Sequence, residues 1–307
     1  MRRLIKRNAN MNANSYKAVT PIYYVGIDGG ATNCRAVIEL ADGTKLAEGF
    51  GGSANPSHGR ETVIQSIMVA IDSALQNLSH YNIGYQQLIV GAGLAGLHLP
   101  RYRKLMQEWR HPFYALHLTD DLLVATLGAH NGGDGAVVIV GTGYSALSYV
   151  AGKQNLIGGC GFLMADQCSG SWIGYQAIQA VMFELDGLGE KTKLTEILRD
   201  DIGLDTVQIA ERYLGASASE YGKLAYQVFA AAELGDSIAQ QILNQSRKFI
   251  EKVVHRLQQD KPPRITLVGG VAERMYKQLP TEFQLLLSPA LGSPEQGAIA
   301  FAKSRHR

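Results

Sequence analysis

One pattern occurs twice in this chain and constrains its fold more than any other feature. The first copy, YYVGIDGGATNCRAVI, begins at Tyr23, and the second, GAVVIVGTGYSALSYVAG, covers residues 135–152. Each copy has an apolar, β-prone run, a short break that contains glycine and a second strand-like run, which is typical of a β-hairpin. The repetition predicts two related halves, residues 21–130 and 131–307, with a boundary near residues 128–134.

The segments around the hairpins predict an alternation of strands and helices, hence an α/β protein. Residues 60–78, for example, place apolar side chains at helical spacing, and Pro294 suits the first position of the last helix. We expect strands at 22–27, 34–40, 45–50, 88–96, 115–121 and 265–270 besides the second hairpin, and helices at 60–78, 122–132, 171–185, 192–200, 205–214, 221–233, 235–258 and 294–304. The pattern leaves open whether the last helix packs back on the first half.

The overall composition excludes several classes of protein. The chain has 307 residues, of which 46% are apolar, so it can bury a sizeable core. Its net charge of +2 is too close to neutral to favour nucleic acid as the main partner. The histidines show no H-x-x-x-H spacing and no G-x-S-x-G motif is present, so we expect neither a histidine metal site nor a Ser-His-Asp hydrolase.

The cysteines and the beginning of the chain indicate a cytoplasmic protein. Cys34, Cys160 and Cys168 cannot all pair and form no C-x-x-C motif, which disfavours a disulfide framework or a structural zinc site. We expect Cys160 and Cys168 to be small buried thiols. Residues 1–20 are basic and rich in asparagine, and we interpret them as a flexible leader because they lack the apolar run of a secretory signal. No apolar run is long enough to cross a membrane.

The first hairpin turn contains groups that suit both an anion and a cation. Gly29 and Gly30 have no β-carbon, so backbone N–H groups can approach a phosphate closely, and Thr32 and Asn33 add short polar side chains. Asp28, at the end of the strand, could hold a hydrated Mg²⁺, because a carboxylate beside phosphates needs a cation between them. A plain hairpin with a glycine turn explains the same residues.

The second turn, Gly141-Thr142-Gly143, offers backbone donors and one hydroxyl in the same way. Two such turns could clamp a polyphosphate from both sides. Neither turn matches the Walker pattern or the dinucleotide fingerprint, both of which lead into a helix. A third pair, Gly269-Gly270, follows a strand and would let an adenine ring or a ribose pack on bare backbone, although glycines are common where a helix begins.

Carboxylates follow the strand that we expect at 115–121. Asp121 is a candidate general base, which would accept a proton from a substrate hydroxyl as that hydroxyl attacks phosphorus. Its alternative role is to cap the next helix. Asp120 is better placed for that cap, although the two residues could exchange roles.

Two further polar residues are candidates for holding a sugar. Asn55 lies in a polar loop after a strand, where its amide could bind hydroxyl groups or only form a turn before Pro56. Asp166 precedes a helix that we expect to begin near Ser171, so it could cap that helix, bind a polar ligand, or do both.

The chain resembles the actin/hexokinase/Hsp70 superfamily in four motifs taken together and in order: D-G-G-A-T, G-T-G, A-D-Q-C-S-G and V-G-G. More narrowly, the chain resembles the BadF/BadG/BcrA/BcrD-type ATPase family and, within it, the bacterial glucosamine and N-acetylglucosamine kinases. The resemblance runs from about Tyr23 to the last helix. It implies two ribonuclease-H-like domains of the actin-like ATPase type that close on a cleft, with ATP and Mg²⁺ deep in the cleft and the sugar above them.

The resemblance also implies roles for individual residues. By motif, the first phosphate motif matches Asp28, Gly30 and Thr32, the second phosphate motif matches Gly141, Thr142 and Gly143, and the adenosine motif matches Gly269 and Gly270. The sugar-binding residues match Asn55 and Asp166, and the catalytic base matches Asp121. The chain departs from the family pattern at Ala31, Tyr144, Ala165 and Cys168, which concerns the shape of the sugar pocket.

The sequence thus predicts a cytoplasmic, ATP- and Mg²⁺-dependent kinase that converts an amino sugar to its 6-phosphate. Glucosamine is the first choice of substrate and N-acetylglucosamine the second, and a homodimer is possible. One alternative is an ATPase that activates a 2-hydroxyacyl-CoA dehydratase, which would need cysteines from two subunits to hold an iron–sulfur cluster. Another alternative is a sugar sensor without catalytic activity.

Overall fold

Two β-sheets organise the protein, as seen in a computed structural model that describes residues 22–30, 32–203 and 205–306. The predicted leader, residues 1–20, and the family departure at Ala31 lie outside the described residues. The sheets are built from residues of the two halves that the repeated hairpin predicts. The fold class expected from the sequence, α/β with two such units, is confirmed.

The first sheet has five strands in the order β3-β2-β1-β4-β5. They are β1 Tyr23–Gly29, β2 Cys34–Glu39, β3 Lys45–Gly51, β4 Leu88–Leu94 and β5 Ala115–Asp120. Strand β1 pairs antiparallel with β2 and parallel with β4, and the register aligns Asp28 with Arg35 and Arg35 with Phe50. A charged pair therefore lies across the carboxyl end of β1.

The second sheet repeats this arrangement with four strands in the order β8-β7-β6-β9. They are β6 Gly135–Val140, β7 Tyr144–Val150, β8 Lys153–Gly158 and β9 Ile265–Val268. Leu287 makes an isolated parallel bridge with Ile265 beside β9. Strand β8 was not predicted, because its sequence KQNLIG is largely exposed and lacks the alternation of a half-buried strand.

Thirteen α-helices are present in the described part of the chain. They are α1 Arg60–Gln76, α2 Pro100–Gln107, α3 Asp121–Ala129, α4 Gly170–Leu185, α5 Leu194–Ile197, α6 Arg199–Ile202, α7 Thr206–Tyr213, α8 Ala218–Gly222, α9 Ala225–Glu233, α10 Ser237–Gln258, α11 Ala272–Gln278, α12 Thr281–Gln284 and α13 Pro294–Arg305. The predictions of single helices at 192–200 and 221–233 were wrong, since the first region is divided between α5 and α6 and the second between the end of α8 and α9, and α2 and α12 were missed. None of the described helices has the length and apolar character needed to cross a bilayer.

Helix α13 packs against the first sheet although it ends the chain. A β-carbon built on Gly26 of β1 would lie 1.9 Å from the backbone oxygen of Glu295, and one on Gly91 of β4 would lie 2.0 Å from that of Ala298. The backbone of α13 therefore lies directly on both strands, because these two glycines leave the space. The contact holds the first turn of α13 beside the end of β1.

Helix α3 lies between the two sheets. It contacts α13 and β4 on one side and β6 and β7 on the other. Its buried residues Leu122, Leu123 and Leu127 form one apolar cluster with Val137 and Leu147 of the second sheet. Residues at the amino end of α3 are thereby placed where the two halves meet.

The cysteines are free, and their burial differs. Cys34 and Cys168 are buried, whereas Cys160 is exposed. The expectation of a buried thiol was therefore wrong for Cys160, which lies in the loop after β8 rather than against a helix.

Candidate active site

The first turn is fixed by hydrogen bonds to its neighbours. The N–H of Gly30 donates to the oxygen of Asn33 at 2.8 Å and so closes the turn, which means that this amide is not free for a ligand. The oxygen of Gly30 accepts from the N–H of Ala54 at 3.0 Å, which ties the turn to the loop that contains Asn55. The side chains of Thr32 and Asn33 are exposed at the tip.

Gly29 has a packing role that its motif does not reveal. It is buried, and a β-carbon there would lie 2.6 Å from Cδ2 of Leu94. Its oxygen accepts from the N–H of Ala95 at 2.8 Å. Gly29 is not among the residues that line the two cavities described below, so a side chain is excluded there by Leu94 rather than by a ligand.

The second turn is held from behind by the start of α4. The N–H of Gly141 donates to the oxygen of Gly143 at 3.0 Å, and the oxygen of Gly141 accepts from the N–H of Gly170 at 2.8 Å. The oxygen of Thr142 accepts from the N–H of Ser171 at 3.2 Å and from its hydroxyl at 2.7 Å. Because these carbonyls are engaged by α4, the turn presents its opposite side to the cavity.

The third glycine pair lies next to the second turn. Gly269 has a φ of +117°, and a β-carbon there would lie 2.3 Å from the oxygen of Val140, so the backbone itself requires glycine. Gly270 is close to the second turn, since a β-carbon on Gly141 would lie 4.0 Å from its nitrogen. Gly269 also lines a largely apolar cavity of about 430 Å³ with Leu267, Tyr276 and other residues.

A cavity of about 530 Å³, here called the central cavity, brings most of the predicted residues together. The predicted residues that line it are Asn55, Asp121, Gly141, Thr142, Gly143 and Asp166. They come from both halves of the chain, so the central cavity lies between the two sheets.

The first turn opens onto a second space of about 580 Å³, here called the turn cavity. It is lined by Asp28, Gly30, Thr32, Asn33, Arg35, Phe50, Gly51, Pro294 and Glu295. The two glycine turns thus line two separate cavities. Asp28 lines one and Asp121 the other, and the charge of Asp121 contributes to the raised pKa of Asp28.

Two adjacent carboxylates at the start of α3 have different roles. Asp120 caps the helix, because its side chain accepts from the N–H of Leu123 at 2.8 Å. Asp121 is left to face the central cavity. Burial raises the pKa of Asp121 to about 6, with a smaller contribution from the charge of Asp120, while backbone N–H groups at the helix start oppose the rise.

Asp28 lies in the most strongly charged part of the site. Burial raises the pKa of Asp28 to about 7, the charges of Glu295 and Asp121 add to the rise, and Arg35 opposes it. Arg35 donates to Glu48 at 2.6 Å and lies 3.4 Å from Glu295. Glu295 and Arg35 were not among the predicted site residues, because nothing in the sequence around residue 295 relates it to the first turn.

Asp166 is 3% exposed, and burial raises the pKa of its carboxyl while the N–H of Tyr144 opposes the rise. Its Oδ1 is buried without a hydrogen-bond partner in the described protein. A β-carbon on Gly143 would lie 3.4 Å from Oδ2, so the carboxylate touches the second turn. Helix α4 is capped by Ser169, which accepts from the N–H of Trp172 at 3.1 Å, and Asp166 is therefore not needed as a cap.

Asn55 combines both roles that its position allows. Its Oδ1 accepts from the N–H of Ser57 at 2.9 Å and caps a short 3₁₀ turn, Pro56–His58, while the residue also lines the central cavity. Since the turn uses the oxygen, the NH₂ group is the part that can donate to a ligand.

Helix α2 adds an aromatic wall that the sequence analysis missed. Tyr102 lines the central cavity, and its ring lies within 3.7 Å of the position that a β-carbon on Gly96 would take. The guanidinium of Arg101 stacks on this ring at 4.4 Å and donates to its hydroxyl at 2.6 Å. The signal was weak because α2 is short and mostly polar; only Pro100 marks its start.

Within the described residues, no group of three or more His, Cys, Asp or Glu side chains is arranged to hold a metal ion. A Mg²⁺ site that uses one or two carboxylates together with substrate phosphates does not need such a group. The half-buried carboxylate of Asp28 beside the first turn fits a site of that kind.

The carboxyl group of Asp28, whose pKa is raised, lies beside the first glycine turn, and the buried carboxylate of Asp166 touches the second. Together with the repeated sheets on either side of α3, this defines a two-unit α/β protein of the actin-like ATPase class. The chain belongs to the BadF/BadG/BcrA/BcrD ATPase family, whose model matches residues 25–285. The family membership expected from the sequence is thus confirmed.

Two relatives of known name align over most of the chain. The glucosamine kinase GspK of Vibrio cholerae is 34% identical over 280 residues, which cover 91% of this chain and 95% of that protein. The N-acetyl-D-glucosamine kinase of Dictyostelium discoideum is 28% identical over 277 residues, which cover 82% of this chain and 86% of that protein.

Solved structures support the same fold. A protein of Chromobacterium violaceum, provisionally described as an N-acetylglucosamine kinase, superimposes with a TM-score of 0.86 at 28% identity and covers 92% of this chain and 99% of its own. A ROK family glucokinase from Streptomyces griseus, solved with glucose and AMPPNP, has a TM-score of 0.56 at 17% identity and covers 93% of this chain and 100% of its own. The second similarity concerns the fold alone.

Proposed function

We propose that this protein is an ATP-dependent kinase that phosphorylates an amino sugar, glucosamine or N-acetylglucosamine, at its 6-hydroxyl. One observation carries the proposal: Asp120 caps α3, and Asp121 is left facing a cavity that the second glycine turn also lines. The two named relatives, a glucosamine kinase and an N-acetylglucosamine kinase, support the substrate class.

Asp121 is the general base in this proposal. A pKa of about 6 leaves its carboxylate ionised at neutral pH and makes it a stronger base than an ordinary Asp. It would accept the proton of the sugar hydroxyl as that oxygen attacks phosphorus, and the cavity would hold the hydroxyl in line.

Asp166 and Asn55 hold the sugar in this proposal. The buried Oδ1 of Asp166 has no partner in the described protein, so a sugar hydroxyl or amino group that donates to it would remove the cost of burying it unpaired. The NH₂ group of Asn55 would donate to a second hydroxyl. The ammonium group of glucosamine would be attracted by the carboxylates of Asp121 and Asp166, which supports glucosamine as the first choice.

The remaining predicted residues, apart from Gly29, form the nucleotide site in this proposal. ATP supplies the phosphoryl group, and Mg²⁺ neutralises the charge that develops on it. Thr32 and Asn33 of the first turn and Thr142 and Gly143 of the second would donate to the phosphates.

Asp28 would hold the cation in this site. Gly269 and Gly270 would contact the adenosine, and the largely apolar cavity beside Gly269 supports that assignment.

We also propose that residues 21–130 and 131–307 act as two domains, with α13 returning to the first. Closure of the two domains would bring the turn cavity and the central cavity together and exclude water from the phosphoryl group. A cytoplasmic location, where ATP is available, and a homodimer belong to the same proposal; native mass measurement tests the latter.

The two alternative functions, an activating ATPase and a sugar sensor, predict measurable properties that differ from those of a kinase. An activating ATPase with an iron–sulfur cluster needs accessible cysteines, and only Cys160 is exposed among the three. Iron content and colour of the purified protein test that function. A sensor would bind sugar without turnover.

The decisive experiment measures ADP release with ATP, Mg²⁺ and a panel of amino sugars and hexoses. We expect stimulation by glucosamine or N-acetylglucosamine well above that by glucose, and a 6-phosphate product by mass spectrometry and NMR. If no sugar stimulates ADP release while sugar binding is measurable, the sensor function replaces the kinase.

A further inference from the structure

Glu295 is a buried carboxylate whose charge is only partly compensated by the protein. The residue is 2% exposed. Its Oε1 lies 3.4 Å from Nη1 of Arg35, and its Oε2 is buried without a hydrogen-bond partner in the described protein. An ionised oxygen in this situation destabilises the fold unless another group compensates it.

The position of Glu295 follows from how α13 docks. The first turn of α13 lies on β1 at Gly26, and Asp28 is on the same face of the strand two residues later. The helix is capped by Ser293 and Gln296, which bond each other's backbone, so the carboxylate of Glu295 is not used in capping. It lines the turn cavity together with Asp28.

Arg35 does not neutralise this pair of carboxylates by itself. Its shortest contact is the hydrogen bond to Glu48 at 2.6 Å, a residue that does not line the turn cavity, and its distance to Glu295 is longer. The charges of Glu295 and Asp28 oppose each other. The amino end of α13 also favours a negative charge at Glu295, but a helix end supplies only a partial charge.

Two carboxylates that face one cavity beside a phosphate-binding turn suit a hard divalent cation. Mg²⁺ takes oxygen ligands and is commonly held by one or two carboxylates, water and substrate phosphates. We propose that Glu295 acts with Asp28 as a second protein carboxylate for the cation that accompanies the nucleotide. This inference rests on the proposed kinase function and adds Glu295 to the residues that would bind Mg²⁺-ATP.

A consequence is that the last helix of the chain contributes directly to the nucleotide site. Glu295 reaches the cation from α13, whereas Asp28 reaches it from β1. A shift of α13 relative to the first sheet would then change cation binding without any change in the glycine turns.

The test compares Glu295→Gln with Glu48→Gln. Both variants remove a carboxylate that contacts Arg35, but only Glu295 lines the turn cavity. Calorimetry gives the dissociation constant of a non-hydrolysable ATP analogue in excess Mg²⁺ and in EDTA, and the ratio of the two constants measures how much the cation strengthens nucleotide binding.

We expect Glu295→Gln to reduce this ratio by about tenfold or more, mainly through weaker binding in Mg²⁺, since loss of a metal-supporting group commonly costs that much. Glu48→Gln should leave the ratio at the wild-type value. The thermal unfolding midpoint of Glu295→Gln in EDTA should not fall, because the variant removes a charge that Arg35 only partly compensates. If Glu295 served only as a structural ion-pair partner of Arg35, the midpoint would fall.

An unchanged ratio in Glu295→Gln, or an equal reduction in both variants, would overturn the inference. If Glu295→Gln does not fold, Glu295→Asp supplies the same comparison with the charge kept but withdrawn from the cavity, and its ratio should fall below the value shared by the wild type and Glu48→Gln. This failure is distinguished from failure of the kinase function by the wild type. If only the inference about Glu295 fails, the wild type still binds the analogue and phosphorylates sugar; if the kinase function fails, the wild type does not phosphorylate sugar.

Discussion

The two hairpins have the same topology but differ in charge at equivalent positions. In the first hairpin, Asp28 pairs with Arg35 across β1 and β2, two positions before the turn begins. In the second hairpin, the equivalent pair across β6 and β7 is Ile139 and Ser145. The charged pair is therefore present in only one of the two related units.

The turns are also supported differently. The first is braced by α13, which brings Glu295 to it, and the second is braced by α4, whose preceding loop brings Asp166 to it. The same backbone unit can therefore serve two tasks. The first turn is suited to phosphates with a cation, and the second to phosphates beside the sugar acceptor.

The largest effect is expected at Asp121, which lines the central cavity with the second turn and whose charge acts on Asp28 beside the first. Asp121→Asn removes the proton acceptor and should lower kcat by about 10²–10⁴-fold, while sugar binding stays within a few-fold of wild type. Steady-state kinetics and sugar titration by calorimetry check both parts. Unchanged turnover would remove Asp121 from its role as base.

A matched pair of substitutions tests the charge difference between the hairpins directly. Asp28→Asn should lower kcat/KM for Mg²⁺-ATP by about 10²-fold, because a carboxylate that holds the cation is lost. Ile139→Val, at the equivalent position of the second hairpin, should change it by less than about threefold. Equal losses in the two variants would mean that the hairpins do not differ as described.

The contacts that support the two turns can be compared by their contributions to the free energy of unfolding. Gly26→Ala forces a β-carbon against the backbone of α13 and should lower the free energy of unfolding by about 1–3 kcal/mol or more. Gly170→Ala behind the second turn meets its nearest neighbour at 3.3 Å and should cost less than about 1 kcal/mol. Urea unfolding curves of both variants measure the difference; the reverse order would contradict the docking of α13.

The smallest effect is a shift in pH dependence. Asp121 must be ionised to accept a proton, so with a pKa of about 6 the rate should be constant above pH 6–7 and fall about tenfold per pH unit well below 6. Asp120→Asn keeps a good cap but removes a neighbouring negative charge, which lowers the pKa of Asp121. The acid limb should move to lower pH by a fraction of a unit; a move to higher pH would contradict this assignment.

Much of the fold followed from local patterns. The β1–β2 and β6–β7 hairpins and helix α1 were predicted because strand alternation, turn glycines and helical spacing are short-range properties. Strand β8 and helix α2 were missed because their sequences are polar and exposed. The splits within 192–200 and 221–233 have no strong local stop signal.

The sequence alone determined which groups of residues could carry the chemistry: two glycine turns, a carboxylate after each of two strands and Asp166 before a helix. The tertiary structure decided which of them face a cavity. It assigned the cap to Asp120 and left Asp121 for the central cavity, and it buried Gly29 against Leu94. It also brought Glu295 to Asp28. Contacts between residues so distant in the chain depend on how α13 docks on glycines of β1 and β4, and no local pattern encodes that docking.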